Sequence, residues 1–156
     1  MLTFWHWLHV LSLFLFVAGV GAVVAPIYRG WFSRDLRTQM ISFTQAANNE
    51  SALLLPGALA AGVTGVFWGA AAGYNFITTG WLVGLWASYL LAVFICMPLM
   101  GLGLRRVRLL TLQAQKRNKI TPELEAALAD NVPIVFATII AILTVLMASF
   151  AIWKPF

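Results

Sequence analysis

A chain of 156 residues that is 62% hydrophobic and 10% charged, with a mean hydropathy of +0.89, is too apolar for a water-soluble globular domain and belongs in a membrane. Its formal net charge of +5 does not imply nucleic acid as a partner, because the basic residues flank apolar runs and no nucleic-acid motif is present. The single cysteine excludes an intrachain disulfide.

Four apolar segments, at about residues 4–25, 53–74, 81–104 and 132–153, are each long enough to cross a hydrocarbon core of about 30 Å, which takes about 20 helical residues. They predict an all-α, four-helix transmembrane bundle forming one domain over residues 1–156. Residues 1–16 contain no Lys or Arg, so the first span lacks the charged start of a signal peptide and is expected to remain as an anchor. The first connection carries Arg29, Arg34, Asp35, Arg37 and Glu50. Leu36, Met40 and Phe43 recur at helical spacing after Ser33, a capping residue, which predicts an amphipathic helix lying at the interface. The second connection, residues 75–80, is short and uncharged, so spans two and three should form a tight antiparallel pair. The third is polar: Arg105, Arg106, Arg108, Lys116, Arg117 and Lys119, then Glu123, Glu125 and Asp130. Thr121, Pro122 and Glu123 read as a cap, a tolerated first-turn proline and an acid at the positive end of a helix dipole, predicting a short cytosolic helix over 122–129. Asp130 or Asn131 is then placed to cap the last span, with Pro133 in its first turn.

Nine of the ten basic residues fall in the first and third connections and only Lys154 on the opposite side. By the positive-inside rule both long connections are cytoplasmic and both termini lie outside, as in a multi-pass protein of a bacterial inner membrane. Trp5, Trp7, Tyr74, Trp81 and Trp153 then form an outer aromatic belt, with Tyr28 and Trp31 at the inner boundary.

Within the second span, Gly57, Ala61, Gly65, Gly69 and Gly73 recur at every fourth position and form one slanting groove on an apolar helix. Its occupant is another helix of this chain, a helix of another subunit, in a larger complex or a homo-oligomer, or the flat face of a porphyrin-type ring. A groove five residues long exceeds what short intrachain packing requires, so a membrane partner is expected.

His6 and His9 are the only histidines, on the first turns of the first span, with His9 roughly 7 Å below the outer boundary. Neutral imidazole is a usual axial ligand of haem iron or chlorophyll magnesium, and Met147 lies at a matching depth on span four, giving a conceivable His and Met pair. Cys96, Met97 and Met100 form a soft cluster around Pro98 with the donor chemistry of a Cu(I) site; ordinary packing around a proline kink is the alternative. Asp35, Glu50, Glu123, Glu125 and Asp130 all read as loop or helix-end residues, which disfavours an ion pump. No nucleophile with base and acid, phosphate loop or zinc motif is present.

The segments WHWLHVLSLFLFVAG, LPGALAAGVTG, GWLVGLW and DNVPIVFATIIAILTVLMASFAIWKPF together resemble a superfamily of small four-helix membrane proteins. It includes the HemJ-type protoporphyrinogen oxidases, the membrane domain of CopD-type copper-resistance proteins and a large group of predicted integral membrane proteins. In the HemJ type a first-span histidine ten residues before a glycine, as His9 stands before Gly19, is implicated in binding haem b. The resemblance therefore implies His9 as a haem ligand. The HemJ pattern also has a lysine after the Gly-Trp that opens span three, which Val83 to Trp86 lacks, and a glutamate before span four, where Asn131 stands. These departures argue against oxidase chemistry and favour a non-catalytic accessory subunit of an energy-transducing or redox complex, with a porphyrin oxidase or a copper-handling protein as alternatives.

Overall fold

The computed structural model describes residues 1–155, and the elements below are those of that range. Helix α1 runs over Leu2–Phe32, α2 over Leu36–Asn49, α3 over Leu55–Ala71, α4 over Gly80–Leu91, α5 over Met97–Lys116, α6 over Pro122–Ala129 and α7 over Val132–Trp153. Two π-helical turns, Glu50–Leu54 and Ala92–Cys96, join α2 to α3 and α4 to α5. Four helical stretches, Leu2–Phe32, Leu36–Ala71, Gly80–Lys116 and Pro122–Trp153, the last interrupted at Asp130 and Asn131, are therefore long and apolar enough to span a membrane. The all-helical four-span architecture expected from the apolar runs is what the chain adopts.

Each π-turn stands directly before a Leu-Pro or Met-Pro step, Leu55-Pro56 and Met97-Pro98. A proline in a helix lacks the N–H for the carbonyl four residues back and its ring presses on that carbonyl. Widening the preceding turn relieves both problems, and the Leu55 and Met97 amides bond instead to the Glu50 and Ala92 carbonyls five residues back. The helix continues through Pro98 by way of this π-turn. Pro26 in α1 finds a different solution: the Ala22 carbonyl it orphans accepts a 2.8 Å hydrogen bond from the Asn49 side-chain amide.

That continuity corrects two expectations. The amphipathic stretch after Ser33 is no separate interfacial helix, because it runs unbroken through the first π-turn into span two and packs on α1 and α5. Its cap is Asp35, whose carboxylate accepts from Thr38 N at 2.8 Å, while Ser33 Oγ accepts from the Asp35 amide. Glu50 correspondingly lies inside a continuous helix rather than in a loop, and its carboxylate occupies the space a side chain at Gly101 would need. At about 1.5 Å per residue it stands about 30 Å along the axis from Ala71, so it sits near one boundary of a membrane core and not at its midplane.

At the opposite end α3 stops in a Schellman motif. Gly73 takes φ +77, the Tyr74 amide bonds to the Gly69 carbonyl at 3.0 Å and the Gly73 amide to the Ala70 carbonyl at 3.1 Å. Gly73 is thus a helix stop and does not extend the small-residue groove. The turn that follows is held by Asn75 Oδ1, which accepts from the Ile77 and Thr78 amides. Helix α6 begins as expected, with Thr121 Oγ1 accepting from the Leu124 amide and Pro122 in the first turn. Asn131 precedes α7 but makes no cap bond; its Oδ1 accepts from Trp31 Nε1 at 3.3 Å, tying α1 to α7.

The end carrying the 72–79 connection is called here the hairpin end and the other the basic end. At the basic end α1, α2, α5, α6 and α7 close around Ile27, Phe43, Leu104, Val107 and Leu124, all fully buried. Towards the hairpin end the helices sort into two pairs, α1 with α3 and α4 with α7, while α3 and α4 barely approach each other despite being neighbours in sequence. The tight pairing expected between α3 and α4 beside their short connection is not formed, and spans two and three pack instead through α2 and α5 at the basic end. A short connection fixes where two helices meet at one end but does not supply interdigitating side chains along them.

Candidate functional site

The groove of small residues is filled by the chain itself. A side chain at Gly57 would strike the backbone of Leu15 and Phe16, with Phe16 N at 2.7 Å, so α1 and α3 cross in backbone contact. A second such crossing joins Gly19 to Leu54, whose Cα would lie 2.6 Å from a Cβ added at Gly19. Further along, Gly65 faces the His9 imidazole and Gly69 faces the Phe76 ring. Close approach of α1 is what the glycines provide, and they leave no open stripe there for a helix of another subunit.

The splaying of α3 from α4 leaves a cavity of about 260 Å³ in the hairpin half of the bundle. All four spans line it: His9 and Phe16 from α1, Gly62, Gly65, Trp68 and Gly69 from α3, Leu85, Trp86 and Tyr89 from α4, and Thr144, Met147 and Lys154 from α7 and its end. Its walls are overwhelmingly apolar, with small residues on one side and aromatic rings on the other. The gap between α3 and α4 is bridged by side chains rather than by backbone. Tyr89 reaches across Gly62 to donate to the Ala58 carbonyl at 2.9 Å, and Trp86 sits edge-on between Phe76 and Tyr89, at 6.2 and 5.3 Å between ring centroids. Trp81 and Tyr74, expected in an aromatic belt, line this cavity, and Trp81 is buried.

His9 is the one imidazole on the cavity wall. Its Nδ1 lies 3.1 Å from Thr64 Oγ1, and Thr64 Oγ1 lies 2.6 Å from the Ala60 carbonyl. A carbonyl only accepts, so the threonine's one proton goes to Ala60 and its oxygen accepts from His9. The hydrogen-bond network therefore assigns the ring proton to Nδ1 and leaves Nε2 with a bare lone pair. The Ala61 carbonyl, an acceptor only, is the ring's other polar neighbour in the α3 backbone. Trp68 stacks with both histidine rings, 5.0 Å from His6 and 5.4 Å from His9, which helps fix the orientation of the His9 plane. His6 is exposed and does not line the cavity. Met147 does, so the His9 and Met147 pair considered from depth alone shares one chamber.

Cys96, Met97 and Met100 lie elsewhere. All three are buried in the apolar core at 4% exposure or less and are not on the wall of the hairpin-end cavity, with Cys96 ending the second π-turn. Among the described residues no group of three or more His, Cys, Asp or Glu side chains gathers. Sequence reasoning missed Thr64, Trp68, Tyr89 and Lys154. Thr64 was legible in principle as the one hydroxyl on the groove face between Ala61 and Gly65; the others depend on how α3 and α4 separate.

Fold and site together define a four-span integral membrane protein with an apolar chamber at one end of the bundle and one imidazole in its wall. Residues 3–155 match the family described as predicted integral membrane protein (DUF2269), and the chain belongs to that family. No curated protein and no solved structure matches it.

Proposed function

We propose that this protein is a non-catalytic membrane component that holds a flat, ring-shaped cofactor of the haem b class, or another tetrapyrrole, in the hairpin-end cavity. The observation that carries the reading is the His9 imidazole, with Nδ1–H spent on Thr64 and Nε2 unprotonated, set in the wall of an apolar chamber. A histidine whose one nitrogen is anchored to a protein oxygen presents the other as a metal ligand of fixed direction. The donor set fits: imidazole from His9, a thioether from Met147, glycines and alanines that allow a ring to lie close to α3, and aromatic faces opposite. The volume, about 260 Å³, is just under the range of roughly 300–1,000 Å³ common for ligand pockets, so a macrocycle requires the Phe76 ring to leave the Gly69 surface and the α3–α4 gap to widen. That gap is closed only by side chains, which supports this route. When bound, haem supplies a one-electron redox centre; the residues here bind it, orient it and shield it from water.

In this reading the nine basic residues at the opposite end face the cytoplasm of a bacterial inner membrane and the chamber faces outward. Among the described residues the titratable groups on its wall are His9, Tyr74, Tyr89 and Lys154; together with the departures from the HemJ pattern at Val83 to Trp86 and at Asn131, this supports a carrier or accessory redox subunit over a porphyrin oxidase. Any subunit contact uses lipid-facing surface, since the glycine groove is occupied. The buried, filled surroundings of Cys96, Met97 and Met100 give a copper role nothing to build on.

The test is titration of the protein, purified in a neutral detergent, with ferric haem, followed by dithionite reduction. A saturable Soret shift at one haem per chain and sharp reduced bands are expected. His9→Ala should lose the ligated spectrum while keeping the wild-type unfolding temperature. A featureless titration, or one that His9→Ala leaves unchanged, overturns the reading.

A further inference from the structure

We infer that Lys154 makes the chamber selective for ring ligands bearing an ionised acid group on the edge that faces the hairpin end. The inference rests on the haem-type reading of the cavity and adds to it a second recognition point. Among the described residues Lys154 is the one Lys or Arg on a largely apolar wall. Its Nζ lies 3.3 Å from the Tyr74 hydroxyl and over the faces of Tyr74 and Trp81, 5.6 and 5.2 Å from their centroids. Two cation–π faces and a phenol hold the ammonium in place, and none of these described partners carries a charge that neutralises it. A carboxylate arriving from inside the cavity meets a positioned donor and forms a charge-assisted hydrogen bond.

The backbone supports the same conclusion. Lys154 follows α7 in the left-handed conformation, φ 45 and ψ 60, with its amide on the Phe150 carbonyl at 3.1 Å. Glycine is the usual residue at such a helix end, and a long side chain there is uncommon. The turn folds the lysine back over the chamber's mouth, and a strained residue held at a cavity rim is the kind of outlier that marks a binding role. The axial geometry agrees as well. Met147 lies seven positions before Lys154, about 10 Å along the helix. A ring centred at the level of His9 and Met147 thus carries acid side chains of a few bonds to the level of the ammonium.

The experiment compares ferric haem, whose acid groups are ionised, with its dimethyl ester, which is neutral, by Soret titration in dodecyl maltoside. Wild type should bind the acid roughly tenfold or more tightly than the ester, the effect of one charge-assisted contact. Lys154→Met should abolish the preference by weakening the acid alone, leaving ester affinity unchanged, and Lys154→Arg should restore most of it. Equal affinity of wild type for acid and ester, or a preference that survives in Lys154→Met, overturns the role of Lys154 while the His9 site stands. Failure of both forms to bind wild type removes the haem reading and this inference with it. A folding defect in Lys154→Met is recognised by reduced ester binding, and the Lys154→Arg variant then decides the question: wild-type preference supports the role, equal binding refutes it.

Discussion

The two ends of the bundle are packed by different rules. Among the described residues the largest fully buried side chains, among them Ile27, Phe43, Leu54, Met100, Leu104, Leu124 and Ile140, all fall in the basic half. Cross-helix hydrogen bonds occur in both halves: His9 with Thr64 and Tyr89 to the Ala58 carbonyl in the hairpin half, and Asn49 to the Ala22 carbonyl, Tyr28 with Thr138 at 2.6 Å and Trp31 to Asn131 in the basic half. Packing there even buries Ser42 Oγ, Thr44 Oγ1 and Arg108 Nε with no hydrogen-bond partner among the described residues. The hairpin half holds the cavity, the polarised imidazole and rings in place of backbone contact between α3 and α4. The basic half also keeps open space, a groove of about 320 Å³ beside Pro26, Arg29 and Asn49, but that groove is partly polar, whereas the hairpin chamber is walled almost wholly by apolar side chains from all four spans.

Breaking the comparison begins with the largest effect. Met100→Ala, at a site with no exposure, should cost about 2–5 kcal/mol in detergent unfolding. Thr144→Leu, whose hydroxyl bonds only its own helix at Ile140, adds carbon to the cavity wall and should raise stability by about 0.5–2 kcal/mol while blocking haem titration. Equal losses from the two variants would erase the distinction between the halves. Next, Gly19→Ala forces a methyl into the Leu54 backbone and should cost about 1–3 kcal/mol, whereas Gly21→Ala, with nothing within 4 Å, should melt like wild type.

Asn49→Ala leaves the Ala22 carbonyl unpaired at the cost of about 1–3 kcal/mol. In a Pro26→Ala background, where the helix regains its own N–H, the same change should be far cheaper, a coupling that a double-mutant cycle reads directly. The smallest effect is at Asp35. The Thr38 hydroxyl and amide hold its carboxyl below the usual range. A lowered folded value means its contribution is complete above the ordinary carboxylate pKa and is lost as pH falls through the folded one. Unfolding temperature measured from neutral to acid pH should therefore fall less steeply in Asp35→Ala than in wild type.

The four spans were legible because twenty apolar residues in a row have few other fates, and the start of α6 was legible because Thr121, Pro122 and Glu123 each act within one turn. The join of α2 to α3 was hidden because Arg37 and Glu50 read as a polar loop, while the π-turn that rescues Pro56 is a backbone adjustment without a residue code. The glycine stripe announced close contact but not its partner, since any backbone fits a groove of glycines. Gly73 kept the period of four yet serves as a helix stop, a role set by φ and not by spacing. His9 was readable as an ionisable group at depth. Its tautomer needed Thr64 and Ala60, which only the packing of α1 on α3 brings beside it.

Trp68, Trp81 and Trp86 all stand on the cavity wall, so the chamber is built partly from its own fluorophores. Indole emission overlaps the Soret absorption of a porphyrin, and a pigment seated among these three rings drains their excitation. Arrival of the proposed ring cofactor would therefore register as quenching in unlabelled protein, in membranes as well as in detergent. Replacing the three indoles one at a time by phenylalanine would show which wall the ring lies against.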